Sequence, residues 1–236
     1  MKGLFTVDLL QILRLQKNGL LKKSGNYQLG IISSAIIDLI NLDRLEFKLR
    51  NEDDIYLLAK KDEIVGNELL DEIYLTIRDC PKEYNIQEWL DRFLDCYSIY
   101  EKIHMESLVR REILVDEMKI RKISRYLVMF LIILAFPFSL LAIAYYNNLM
   151  KPRHLHLKNP NFQTQLTKDL YDNLRTFDIP EPSMYGLIII LKILSLNPVL
   201  LGEEFNDYVT KKYYQLQDND FGNADLKLFV KYLTKK

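Results

Sequence analysis

Apolar residues recur every three or four positions along most of this chain, the spacing of amphipathic helices. One stretch stands apart from it. From Leu127 to Tyr146 the sequence reads LVMFLIILAFPFSLLAIAYY, twenty residues without a charge. A helix of that length spans roughly 30 Å, the thickness of a bilayer's hydrocarbon core.

Ahead of that run, the spacing predicts a first helix capped by Thr6 and running to Lys17, with Leu9, Leu10, Ile12 and Leu13 on one face and Asn18-Gly19 as its stop. A second, Leu29 to Leu42, carries a wide apolar stripe from Ile31 to Ile40 and reads as a central helix. Leu45 to Leu49 and Ile55 to Leu58 have strand character and are joined by the polar turn 50–54, so they predict a hairpin. Helical spacing resumes from Asn67, breaks at Cys80-Pro81, and returns from Ile86 through Trp89 to Leu94, with Trp89 as a core anchor. After the run, Asn159-Pro160 opens a helix through Leu174, Met184 to Leu196 is apolar enough to be buried on most sides, and helices near 203–217 and 223–234 close the chain. The expected fold is mainly α: a single helical domain over residues 1–236 around a core bundle, with a short β-hairpin near 45–58. The domain is interrupted by a membrane-inserting segment, 126–147, whose apolar hairpin is 127–146.

The flanks of the run point the same way. Lys119, Arg121, Lys122 and Arg125 precede it, and Lys151, Arg153, His154, His156 and Lys158 follow it. Basic residues on both sides suit anionic headgroups. A single span would leave the two halves of the domain on opposite sides of the membrane, unable to share a core. Phe136-Pro137-Phe138 at the centre offers a bend, because Pro lacks the N–H that a continuous helix needs. A hairpin would return the chain to its starting side, each arm about 14 Å deep if helical, inside one leaflet. Leu127, Phe130, Leu131, Leu134, Phe136, Pro137, Phe138, Leu140 and Leu141 are the expected inserting residues. Lys119, Arg121, Lys122, Arg125, Lys151 and Arg153 are the expected contacts to anionic lipid. A single span and a buried or oligomer-contact helix are the alternatives.

Net charge is zero, so attraction to an anionic surface comes from local clusters. An apolar content of 49% with 27% charged residues suits a packed core. The two cysteines, Cys80 and Cys96, show no metal-ligand spacing and read as partly buried thiols, and the N-terminus lacks the long apolar region of a signal peptide. With eight glycines, nothing resembles a phosphate-cradling loop.

Four pieces stand in order along the chain: LGIISSAIIDLINLDRLEF (Leu29 to Phe47), GNELLDEIYLTI (Gly66 to Ile77), IQEWLDRF (Ile86 to Phe93) and SLVRREILVDE (Ser107 to Glu117). With these pieces the whole chain resembles the Golgi phosphoprotein 3 family of phosphoinositide-binding peripheral membrane proteins, and the Lys-, Ile- and Asn-rich composition points to a bacterial-type relative. The resemblance implies a helical domain with a membrane-engaging apolar hairpin beside a basic pocket for phosphatidylinositol 4-phosphate. An ungapped match puts Lys23, Ile32, Glu101 and Ile103 at the pocket positions, and Ile and Glu cannot supply the bidentate contacts that Arg gives a phosphate. Lys23, Lys102, Arg110 and Arg111 are instead expected to form a less selective headgroup pocket.

The expected function is therefore that of a membrane-associated lipid-binding adaptor at the cytoplasmic face of a membrane. Its partners would be anionic phospholipid and either another protein or a second copy of the chain. The alternative is a membrane-tethered winged-helix DNA reader using Lys22, Lys23 and the hairpin. Against it, Leu29 to Leu42 is too apolar to read bases, and Asp53-Asp54 would repel phosphate. Enzymatic chemistry, a cofactor and a metal are not expected: His154-x-His156 lacks a nearby carboxylate or thiolate, Asp71-Glu72 reads as structural, and no nucleophile-base pattern stands out.

Overall fold

The computed structural model describes residues 3–16, 21–22, 26–50, 54–60, 63–116, 155–176, 180–196, 200–218 and 223–235. Every residue of α1 (Thr6–Arg14) is buried, the charged ones included. A short helix sunk this deep must find outside partners for the N–H groups of its first turn. Asp38, on α2 (Tyr27–Asn41), accepts the Thr6 and Val7 N–H groups, both at 3.0 Å. The cap thus comes from a neighbouring helix. Thr6, expected as the cap, is the first helical residue, and its hydroxyl donates to the Ser183 carbonyl at 3.1 Å. The helix ends at Arg14 rather than Lys17, where Leu15 turns extended and bridges to Leu21.

α2 is buried continuously from Gly30 to Ile40. It packs with α1 and with α7 (Pro182–Ile193), itself buried from Met184 to Leu191, to form the centre of the molecule. Gly186 sets the approach of α7: a Cβ there would lie 2.5 Å from Thr6 Oγ1 and 2.9 Å from Ile37 Cγ2.

β1 (Leu45–Leu49) and β2 (Ile55–Ala59) form the expected antiparallel hairpin, with Leu45 opposite Ala59. Phe47 stacks on Phe229 at 5.7 Å, and Asp225 accepts the Phe47 N–H at 2.9 Å, so the sheet leans on α9 (Ala224–Thr234). α3 (Glu68–Arg78) is capped by the Asn67 side chain and α4 (Ile86–Asp95) by Asn85. Trp89 is buried between Tyr84 and Phe93, at 5.2 and 5.4 Å. α5 (Tyr97–Arg110) leads to β3 (Leu114–Asp116). The chain resumes at β4 (Leu155–Leu157), α6 (Phe162–Arg175), α7, a single 3-10 turn (Glu203–Phe205), α8 (Asn206–Asp218) and α9.

The fold is mainly helical with a small antiparallel hairpin. A second two-stranded sheet, β3 with β4, forms where the spacing assigned no element, because its strands are separated by the whole apolar segment and each is three residues long. The expectation for the cysteines needs correction. Cys96 is exposed at the α4–α5 junction, while Cys80 is half-buried as expected, and neither forms a disulfide. The inserting run 127–146 and the expected lipid contacts Lys119, Arg121, Lys122, Arg125, Lys151 and Arg153 lie outside the described residues, and among the described residues no helix is long and apolar enough to cross a membrane.

The root of the apolar segment as candidate functional site

β3 and β4 hold the two ends of the 117–154 segment side by side. Their antiparallel register pairs Leu114 with Leu157, Val115 with His156 and Asp116 with Leu155, which sets the paired Cα atoms about 4.5–5.5 Å apart. The Lys158 N–H extends the ladder to the Ile113 carbonyl at 3.0 Å, and the Lys158 ammonium pairs with Glu112. Beneath the ladder, Leu15, Met105, Leu108 and Leu114 form a separate apolar cluster with Leu21, Leu155 and Leu157 packed against it. Gln163 of α6 donates to the Leu15 carbonyl at 2.8 Å. Residues on both sides of the segment also share the main core: Leu9, Ile36 and Trp89 from before it, and Leu166, Ile188 and Phe229 from after it.

A buried ionic network fixes the approach to β3. Arg111 follows the last turn of α5 and donates to Asp8 at 2.8 Å and to the Gly3 carbonyl at 2.9 Å. Glu112, next in line, takes a left-handed φ of 58° that turns the chain into β3. Asp8 also meets His104 Nε2 at 3.0 Å and the Phe5 N–H at 3.1 Å. Burial alone would raise the Asp8 carboxyl, but the His104 hydrogen bond, the His104 and Arg111 charges and the Phe5 N–H together hold it below the ordinary carboxylate value. Arg111 is therefore committed to a buried anion inside the protein.

The other residues of the expected headgroup pocket do not converge with it. Arg110 is exposed and donates to Glu68 at 2.7 Å. Lys102 is exposed two turns earlier on α5, about 12 Å along the helix axis. Lys23 lies outside the described residues. Of the residues matched to the family's pocket, Ile32 is in the core, and Glu101 accepts from Arg14 at 2.6 Å and from the Tyr97 hydroxyl at 3.0 Å. Arg14 is itself buried, lies 4.5 Å over the Tyr27 ring, and donates to the Lys22 carbonyl at 2.9 Å. Burial pushes the Tyr27 and Tyr97 hydroxyls up from their ordinary value. This cluster escaped the sequence because Arg14 and Glu101 are 87 positions apart with no motif between them. In the Gly66 to Ile77 motif, Asp71 accepts the Val65 and Gly66 N–H groups at 2.6 and 3.0 Å, holding the turn that Gly66 makes at φ 84°.

A cleft of about 770 Å³ opens between α6 and the start of α8. Thr164, Thr167, Lys168 and Tyr171 line one wall at helical spacing, and Glu204, Phe205 and Tyr208 line the other. Tyr171 meets Phe205 and Tyr208 edge-on, with centroids 5.4 and 5.5 Å away. Arg175, outside the lining, lies 4.0 Å over the Tyr171 ring, and its hydrogen bond holds the Tyr208 hydroxyl below the ordinary tyrosine value. Among the described residues no group of acids, histidines or cysteines could hold a metal ion. No protein-family model matches the chain, and no curated protein matches it either.

Proposed function

We propose that the chain is a membrane-associated lipid-binding protein whose apolar segment dips into one leaflet as a hairpin while its basic flanks hold the anionic headgroup surface. The pairing of β3 with β4 carries this reading. A segment that crossed the bilayer once would separate its ends by the full hydrocarbon thickness, whereas these ends are neighbours in one ladder and their elements share one core. The backbone therefore supports departure from and return to the same side. The continuous burial of α2 supports lipid binding over DNA reading, since α2 has no face to lay in a groove. The resemblance to the Golgi phosphoprotein 3 family agrees with this reading, and the proposal extends to an adaptor role at the cytoplasmic face with a protein partner or a second copy.

Flotation of the full chain on phosphatidylglycerol vesicles tests the reading. Each basic residue near the interface contributes about 1 kcal/mol, so changing Lys119, Arg121, Lys122 and Arg125 together to Gln should lower the partition coefficient by about a thousandfold. Phe136→Asp with Phe138→Asp should abolish flotation even at low salt. Unchanged flotation of both variants would refute the proposal.

A further inference from the structure

We propose that the cleft between α6 and α8 binds a phosphate–ammonium zwitterion, the group that phosphatidylethanolamine and phosphatidylcholine carry in their headgroups. Its volume of about 770 Å³ lies inside the range of roughly 300–1,000 Å³ usual for small-molecule sites. Its two walls carry opposite chemistry. On α6, the Lys168 ammonium and the Thr164 hydroxyl are donors one helical turn apart, suited to phosphate oxygens, while the Thr167 hydroxyl donates to the Gln163 carbonyl at 2.9 Å. The other wall carries Glu204, Phe205 and Tyr208, a carboxylate and aromatic rings of the kind that attract an ammonium group.

The Arg175 guanidinium lies 4.0 Å over Tyr171 and 5.6 Å over Tyr208, from outside the cleft, so the ammonium end falls to Glu204 and the Phe205 ring. Lys168 and Glu204 are both exposed at the cleft, with no hydrogen-bond or ion-pair partner among the described residues, so both charges are accessible to a ligand. A simple anion would satisfy Lys168 and meet repulsion from Glu204, and a simple cation would do the reverse. A ligand bearing both charges satisfies both walls. The cleft begins at Thr164, seven positions beyond the end of β4. That a bilayer lipid supplies the zwitterion rests on the membrane reading proposed above; the chemistry of the bound group rests on the cleft alone.

Calorimetric titration of the full chain with soluble phosphocholine and phosphoethanolamine, and with inorganic phosphate and choline as the separate halves, tests the assignment. At least one zwitterion should bind saturably, about tenfold or more tighter than either half. Glu204→Gln should erase the preference for zwitterion over phosphate, and Lys168→Gln should weaken zwitterion binding about tenfold, both with unchanged far-UV circular dichroism. No saturable binding, phosphate binding as tight as the zwitterion, or variants that bind like the parent would each overturn the proposal. Flotation on phosphatidylglycerol vesicles with and without phosphatidylethanolamine then identifies the source. A gain with phosphatidylethanolamine that Glu204→Gln removes assigns the lipid, and no gain alongside intact soluble binding supports the site with a free zwitterion as its ligand. Loss of flotation on every vesicle would refute the membrane reading while leaving the titration result standing.

Discussion

Replacing Asp38 with Ala removes the carboxylate that accepts the Thr6 and Val7 N–H groups at 3.0 Å. Both donors are fully buried, and a buried donor left without a partner costs about 1–3 kcal/mol. The carboxyl is also costly to bury: desolvation pushes its pKa from 3.8 up to about 7 despite the hydrogen bonds it accepts. Because the folded value is raised, folding favours the protonated form. That stabilisation is complete below about pH 4 and is lost as the pH rises through 7, a swing of about 4 kcal/mol. At pH 4, where that stabilisation is nearly complete, Asp38→Ala should therefore lose about 2–6 kcal/mol for the two donors, a large share of the roughly 5–15 typical of a domain. Asp38→Asn keeps one acceptor and cannot ionise, so its stability should stay level from pH 4 to 7 relative to the parent's decline. Urea unfolding of the full chain in mild detergent, followed by far-UV circular dichroism across that range, measures both. A loss below about 1 kcal/mol for Asp38→Ala, or parallel pH profiles for the parent and Asp38→Asn, would refute the reasoning.

Asp8 should show the opposite sign. Its carboxyl is held below the ordinary value, so the stability it contributes is present above pH 4 and lost as the pH falls through its folded value; Asp8→Asn should flatten this acid limb and speed amide exchange in β3, read by hydrogen-exchange mass spectrometry. Arg111→Gln should cost about 2–3 kcal/mol by leaving Asp8 with a weaker partner, while Arg110→Gln, in an exposed pair with Glu68, should cost less than about 1 kcal/mol; urea unfolding at neutral pH separates them. Gly186→Ala should lose about 1–3 kcal/mol from the clash with Thr6 and Ile37, and Thr6→Ala in the same chain should recover part of it, seen as a favourable coupling in a double-mutant cycle.

The helices that bury one stripe were legible from spacing alone: α6 displays Leu166, Leu170 and Leu174, and α9 follows Asn223, which caps it as such a residue should. The first hairpin was legible because its strands are near neighbours in sequence. The burial of α1 on all sides was not, since Asp8, Gln11 and Arg14 give it an ordinary polar face and their partners come from α2, α5 and the loop around Lys22. β3 and β4 were invisible for the same reason: a three-residue strand gains its identity only from its partner, here some forty positions away. At the candidate site, the basic character of Arg110 and Arg111 was legible, but which of them faces outward was not. That depends on Asp8, a hundred residues earlier in the chain. The cleft on α6 joins a helical stripe to the turn before α8, and periodicity within α6 could not reveal its opposite wall.

Cysteine-accessibility mapping in intact cells tests the same-side hairpin most directly. Exposed Cys96 labels the part before the segment in a Cys80→Ala chain, and Lys231→Cys, at an exposed position of α9, labels the part after it in a chain lacking both native cysteines. With the hairpin, an impermeant maleimide reaches neither site until the cytoplasmic side is opened, and then reaches both. Labelling of one site from outside and the other from inside would contradict it.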